Sequence, residues 1–140
     1  DWHIDPGDHF SNNPDFVDSW PPHGVAGTDE AEIHPAVAEI PVDAHVKKGQ
    51  YAAAYSGFEG TTKGGSSLET ILRDHRIEAV DVVGLALSHC VKDTALDAQH
   101  LGFTTTCLTD LSEPVSLESG EAAVAAMEDA GVTVTTSSQL

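Results

Sequence analysis

Residues 79–109 read AVDVVGLALSHCVKDTALDAQHLGFTTTCLT. The first eight, Ala79 to Ala86, form an almost continuous apolar run, the composition of a strand buried on both faces of a parallel sheet. From Ser88 onward the period changes. Val91, Ala95, Ala98 and Leu101 fall on one helical face, and Gly102 supplies the stop just beyond it. FTTTCLT then returns to strand composition. Strand, helix and strand in so short a span predict a right-handed βαβ unit.

The pattern extends in both directions. SLESGEAAVAAMEDAG, residues 116–131, is a helix with acid in its first turn and a glycine stop, and VTVTT, 132–136, is a final strand. Upstream, SSLETILRDHR, 66–76, is a helix with Ser66 and Glu69 as a capping box and Leu68, Ile71, Leu72 and His75 on one face. AHVKKG, 44–49, reads as a short strand ending at Lys48-Gly49, and YSGFEGTTKGG, 55–65, as a turn-rich loop. The expectation is one domain over 1–140, α/β in class, with a parallel sheet and helices on both faces in a Rossmann-type three-layer arrangement. Ligands of open sheets bind beyond the C-terminal strand ends. Lys48, Leu85-Ala86 and Cys90 are therefore expected on one rim.

Residues 4–41 show no sustained period and are broken by Pro6, Pro14, Pro21, Pro22, Pro35 and Pro41. So long a loop in a compact domain is normally functional, and this one is rich in ligand-type side chains. Asp1, His3, His9 and His23 follow the spacing D-x-H-x5-H-x13-H. In an extended stretch Asp1 and His3 point to one side, Pro6-Gly7 turns the chain back, and Pro21-Pro22 stiffens the approach to His23. Three imidazoles and a carboxylate suit a divalent ion, Zn²⁺, Fe²⁺ or Mn²⁺. Single histidines in an acidic loop would merely bond carboxylates, but four ligand-type residues in a proline-held segment favour a metal.

Cys90 has two readings. With Ser88 as N-cap it lies at the second helical position, where free N–H groups favour a thiolate and can receive an oxyanion. A lone cysteine also packs as a small hydrophobe, and that is the reading for Cys107. The strand-to-helix turn favours chemistry for Cys90. Trp20, Tyr55 and Phe58 are candidate walls for an aromatic substrate or, equally, loop anchors.

Charge and composition narrow the partners. The 140 residues carry 23 acidic against 6 basic side chains, net −17, which excludes nucleic acid and anionic membrane surfaces as natural partners. The acid is spread along the chain, as on a heavily solvated, salt-tolerant surface of the kind halophilic proteins carry. No run of about 18 apolar residues exists, nor a signal-peptide pattern, so a cytoplasmic protein is expected. Two distant cysteines make no disulfide framework.

The motifs DWHIDPGDHF, WPPHGVAGT, KKGQYAAAYSGFEG and VDVVGLALSHCVKDTALDA together closely resemble the nicotinamidase/pyrazinamidase branch of the isochorismatase-like cysteine hydrolases, from Asp1 to about Val134. The resemblance implies hydrolysis of nicotinamide and analogues such as pyrazinamide, through a cysteine thioester, in NAD salvage. It implies Cys90 as nucleophile, Lys48 as the triad lysine, and an oxyanion hole from the Ala86 and Cys90 N–H groups after a cis Leu85-Ala86 peptide. Asp1, His3, His9 and His23 would bind one divalent metal ion, and Trp20, Tyr55, Leu85 and His89 would line the pyridine pocket.

Three departures accompany it. In the family a strand and helix precede this point, and that strand ends in the aspartate that completes the triad. Asp1 matches a metal ligand instead, so the chain is expected to correspond to the C-terminal three quarters of such a protein, with the first strand missing and association of exposed edges expected. WPPHG has Gly24 where relatives usually carry cysteine. ALSHC, with Leu87 and Ser88, replaces the usual ATDHC and keeps another acyl substrate open. A metal-binding protein without catalysis is the competing reading.

Overall fold

The computed structural model describes residues 1–140. Three helices and three strands follow a first half of short turns: α1 (Leu68–Asp74), β1 (Ala79–Leu85), α2 (Lys92–His100), β2 (Thr104–Glu113), α3 (Leu117–Asp129) and β3 (Thr133–Thr135). The sheet is parallel throughout, in the order β1-β2-β3. The class is α/β, as the βαβ pattern requires.

Register explains where the core sits. Val82 pairs with Cys107, and Cys107 with Val134, so these three side chains share one face of the sheet. Against that row pack Leu87 and Val91 just before α2, Ala95 of α2, Met127 of α3, and Val132. Cys107, Met127 and Ala95 have no solvent exposure. Both helices thus bury their stripes against one face, and the sheet can be parallel because each crossover returns over it.

Several expectations change in detail. β1 does not bury both faces. It lies at the sheet edge and its exposure alternates, with Val83 47% and Leu85 75% exposed. Its apolar run therefore marked two apolar faces, of which this chain covers one. AHVKKG does not form a strand. Lys47 exchanges a single pair of backbone bonds with Thr61, while the Lys48 carbonyl accepts from Trp2 N–H and that of Gln50 from Ile4 and Asp5. The segment is extended and tied on both sides, but one bond pair does not make a ladder. The N-cap of α1 is Ser67, whose hydroxyl accepts from Thr70 N–H, one residue later than the expected Ser66 box. His75 caps that helix, exposed, and does not join the buried face.

In the turn between β1 and α2 the Leu85–Ala86 peptide is cis, as the resemblance implies, but the helix start departs: Leu87–Val91 form one wide π-helical turn before α2 begins. Val91 N–H reaches back five residues to the Ala86 carbonyl, 3.1 Å. Ser88 is consequently inside the turn and caps nothing. Its hydroxyl accepts from Val115 N–H (3.1 Å) and bonds His89 Nδ1 (2.9 Å). Leu87 and Val91 are buried in the core, which turns His89 and Cys90 outward at the C-terminal end of β1. No helix of the structure is long and apolar enough to cross a membrane.

Candidate active site

Beyond the end of β1 lies a cavity of about 220 Å³, and around it the structure gathers almost every residue singled out above. Cys90, Leu85, Ala86 and His89 come from the β1–α2 turn, Trp20 and Tyr55 from the loops, and Asp1, His9 and His23 from the proline-rich segment. Ala54 and Val115 complete the wall. These two were not legible as site residues, being ordinary apolar side chains whose only signal is adjacency to Tyr55 and to the α3 cap Ser116. Phe58 goes elsewhere, 6.2 Å from Phe103, and is no wall of this cavity.

Lys48 is the hinge of the arrangement. Its ammonium has three protons to donate, and each has a partner: an Asp1 carboxylate oxygen, the Ala54 carbonyl at 3.0 Å, and Cys90 Sγ at 3.2 Å. The side chain is 12% exposed, so water offers the charge little competition. The Cys90 sulfur thus accepts directly from a charged donor.

Asp1 was expected as a metal ligand with no part in the lysine's chemistry. Its two oxygens divide the tasks. Oδ1 takes the Lys48 bond, while Oδ2 lies 3.8 Å from His3 Nε2 and 3.9 Å from His23 Nε2. One carboxylate therefore joins the thiol's lysine to the histidine cluster.

The three histidines place a ligand nitrogen each within 4.8 Å of one another. Their orientation follows one rule. Every Nδ1 bonds a backbone carbonyl: His3 to Gly49 at 2.5 Å, His9 to Asp18 at 2.9 Å and His23 to Pro21 at 2.8 Å. A ring that donates from Nδ1 keeps an unprotonated Nε2 for a metal. His3 Nε2 is buried with no hydrogen-bond partner, an unsatisfied state that a cation would relieve. Burial holds His3 and His9 below the ordinary imidazole value, only partly opposed by their carbonyl bonds, so both stay neutral. The donor set fits a divalent ion.

The ring-binding side is aromatic. Trp20 and Tyr55 both approach His89, with centroids 5.2 and 5.3 Å away. Trp20 Nε1 donates to the Tyr55 hydroxyl at 3.0 Å, and that hydroxyl donates to the Val17 carbonyl at 2.8 Å. Burial pushes the Tyr55 hydroxyl up and the His89 imidazole down from their ordinary values, so both are neutral walls.

The two thiols are free and differ in kind. Burial pushes Cys107 up to about 11, and it has no exposure. Iodoacetamide near pH 8 is therefore expected to add a single adduct to the folded chain, at Cys90. Peptide mass spectrometry checks this, and a label on Cys107 would contradict the buried placement.

Comparison with known proteins agrees with the geometry. The family described as isochorismatase domain matches residues 3–139. A nicotinamidase/pyrazinamidase of Mycobacterium tuberculosis is 47% identical over 138 residues, covering 99% of this chain and 74% of that protein. A nicotinamidase of Escherichia coli is 36% identical over 112 residues, 78% of this chain and 53% of its own length. Among solved structures, PnC1 from L. infantum in complex with nicotinate superposes with TM-score 0.83 at 33% identity, over 99% of this chain and 69% of that one. A pyrazinamidase of Pyrococcus horikoshii in complex with zinc gives 0.75 at 33%, over 96% and 71%.

Proposed function

We propose that this chain, which belongs to the isochorismatase family, hydrolyses nicotinamide, and the analogue pyrazinamide, to the acid and ammonia. The observation that carries the reading is Lys48 held between Asp1 and the Cys90 sulfur at the mouth of an aromatic cavity. The names of the relatives above support the same substrate, and the L. infantum protein binds nicotinate. The reaction suits a place in NAD salvage, in the cytoplasm.

The pyridine ring enters between Trp20, Tyr55 and His89, with its carboxamide toward Cys90. The sulfur attacks the carboxamide carbon and forms a C–S bond. The N–H groups of Ala86 and Cys90 receive the negative oxygen as the carbon becomes tetrahedral. The C–N bond then breaks, and the departing nitrogen takes a proton and leaves as ammonia. Water cleaves the thioester, releasing the acid and returning the thiol. Lys48 holds the sulfur's charge through both halves. Asp1 accepts from Lys48 and keeps it in place, and the proton given up by the thiol is the one the departing nitrogen takes. Asp1, His3, His9 and His23 would hold one Zn²⁺, Fe²⁺ or Mn²⁺, which would supply Lewis acidity.

Leu87 no longer argues for another acyl group. Its side chain is buried in the core and is not among the cavity walls. The test is ammonia release from nicotinamide by the chain supplied in turn with each of the three ions. Release is expected. A soluble, metal-loaded chain that releases none would leave a metal-binding protein as the better reading.

A further inference from the structure

One exposed carboxylate outside the cavity is engaged far more than its position requires. Asp15 Oδ1 accepts from three consecutive backbone amides, Val17 at 2.9 Å, Asp18 at 3.0 Å and Ser19 at 2.9 Å, and also from the Ser19 hydroxyl at 3.0 Å. The loop closes on itself through Asp15 N–H to Ser19 Oγ and Phe16 N–H to the Ser19 carbonyl, both 3.0 Å. Phe16 accepts a left-handed conformation, φ +58, to allow it.

The consequence lies on the opposite side of the same peptide units. In a planar trans peptide the C=O points away from the N–H. The Asp18 N–H is fixed on Asp15, so the Val17 carbonyl is driven the other way, where it accepts the Tyr55 hydroxyl at 2.8 Å. The Ser19 N–H is likewise fixed, and the Asp18 carbonyl opposite it accepts His9 Nδ1 at 2.9 Å. Trp20, the next residue, is seated by its N–H on the His9 carbonyl at 2.8 Å. We infer that Asp15 is a positioning residue that sets, through two flipped peptide units, the Nδ1–H tautomer of His9 and the hydroxyl direction of Tyr55.

This rests on the metal and substrate roles proposed above for those two residues. It goes beyond them in placing their control at an acid that touches neither. The four bonds also hold the Asp15 carboxyl far below the usual carboxylate range, so the latch stays in its accepting form throughout the pH range of an assay.

The variants are Asp15→Asn, which keeps an acceptor in place, Asp15→Glu, which keeps the charge but moves it by one methylene, and Asp15→Ala. Histidine tautomers are read by long-range ¹⁵N–¹H NMR on the metal-free chains, and Co²⁺ affinity by visible absorption. In the parent, His9 is expected to carry its proton on Nδ1. D15E and D15A are expected to lose that signature, to bind Co²⁺ about 10- to 100-fold more weakly, and to raise KM for nicotinamide more than they lower kcat. D15N is expected to keep most of all three. Parent-like tautomer and Co²⁺ affinity in D15E and D15A would overturn the inference, as would D15N failing while D15E succeeds. If D15A does not fold, the contrast between D15N and D15E decides. A parent chain that binds no Co²⁺ would count against the metal reading, while the tautomer comparison would still judge the latch.

Discussion

Cys90→Ala is expected to lower ammonia release from nicotinamide by roughly 10⁴-fold or more, with Co²⁺ binding and the fold retained. The size of the effect follows from what else lines the cavity. Cys107 is fully buried in the core. The Lys48 nitrogen cannot substitute, because its three protons are committed to Asp1, Ala54 and the sulfur and an ammonium has no lone pair. His89 is held by Ser88 through Nδ1 and faces the aromatic walls. Removal of the sulfur leaves the oxyanion donors and the ring pocket but no atom to form the acyl bond.

The variant leaves Lys48 with one unpaired donor and Asp1 as its remaining charged partner, so the histidine cluster should be undisturbed. Three measurements check this. Steady-state ammonia release gives the loss, Co²⁺ absorption shows whether the metal site survives, and intact-mass analysis of quenched parent reaction looks for an acyl adduct on Cys90. A variant that turns over at the parent rate would remove the thioester from the mechanism. Loss of Co²⁺ binding alongside activity would mean the sulfur's contribution is structural.

What the sequence made legible divides by range of interaction. β1, α2, β2 and α3 were readable because period and stop signals are local, and Val91, Ala95 and Ala98 are buried as their spacing demands. The two faces of β1 were not, because an apolar run states only that a strand can be covered. Whether Val83 and Leu85 are covered depends on neighbours far along the chain. Ser88 misled for a related reason. Serine before a helix is a cap by default, but the wide turn at Leu87–Val91 moves the helix start to Lys92 and gives the hydroxyl to Val115 and His89.

The site was legible as a set of residue types and not as a set of contacts. Asp1, His3, His9 and His23 stood out by chemistry, and the structure brings them together. That Asp1 also takes Lys48 needed coordinates. So did the three carbonyls of Gly49, Asp18 and Pro21 that orient the imidazoles, since a backbone acceptor leaves no trace in the sequence. Asp15 carries no signal of its own in the sequence. Its distinction is that three amides converge on it, a property of φ and ψ that composition does not carry.

Gly49→Ala is expected to weaken Co²⁺ binding about 100-fold, more than any other single-methyl addition in the loops. A Cβ built on Gly49 lies 2.5 Å from His3 Cε1 and 2.7 Å from Nδ1, at a residue whose φ is +75. Neither side can retreat. His3 is 1% exposed and is packed between His23, His9 and Phe10, with centroids 4.8, 5.1 and 5.2 Å away. The backbone around Gly49 is tied at Lys48 to Trp2 and at Gln50 to Ile4 and Asp5. Relief must come from breaking the bond between His3 Nδ1 and the Gly49 carbonyl, which frees the ring that presents the orphaned Nε2. Lys48 precedes the same residue, so the contact with Cys90 should loosen and activity should fall at saturating metal as well. Gly7→Ala is the control. Its φ is +59 but nothing lies within 4 Å of the added carbon, so it carries only the left-handed cost of roughly 1–2 kcal/mol. Co²⁺ titration and thermal melts of both variants separate the terms. Equal losses in the two would mean that conformation alone is at stake, whereas loss of metal in Gly49→Ala only would show that the histidine cluster is built against a bare backbone.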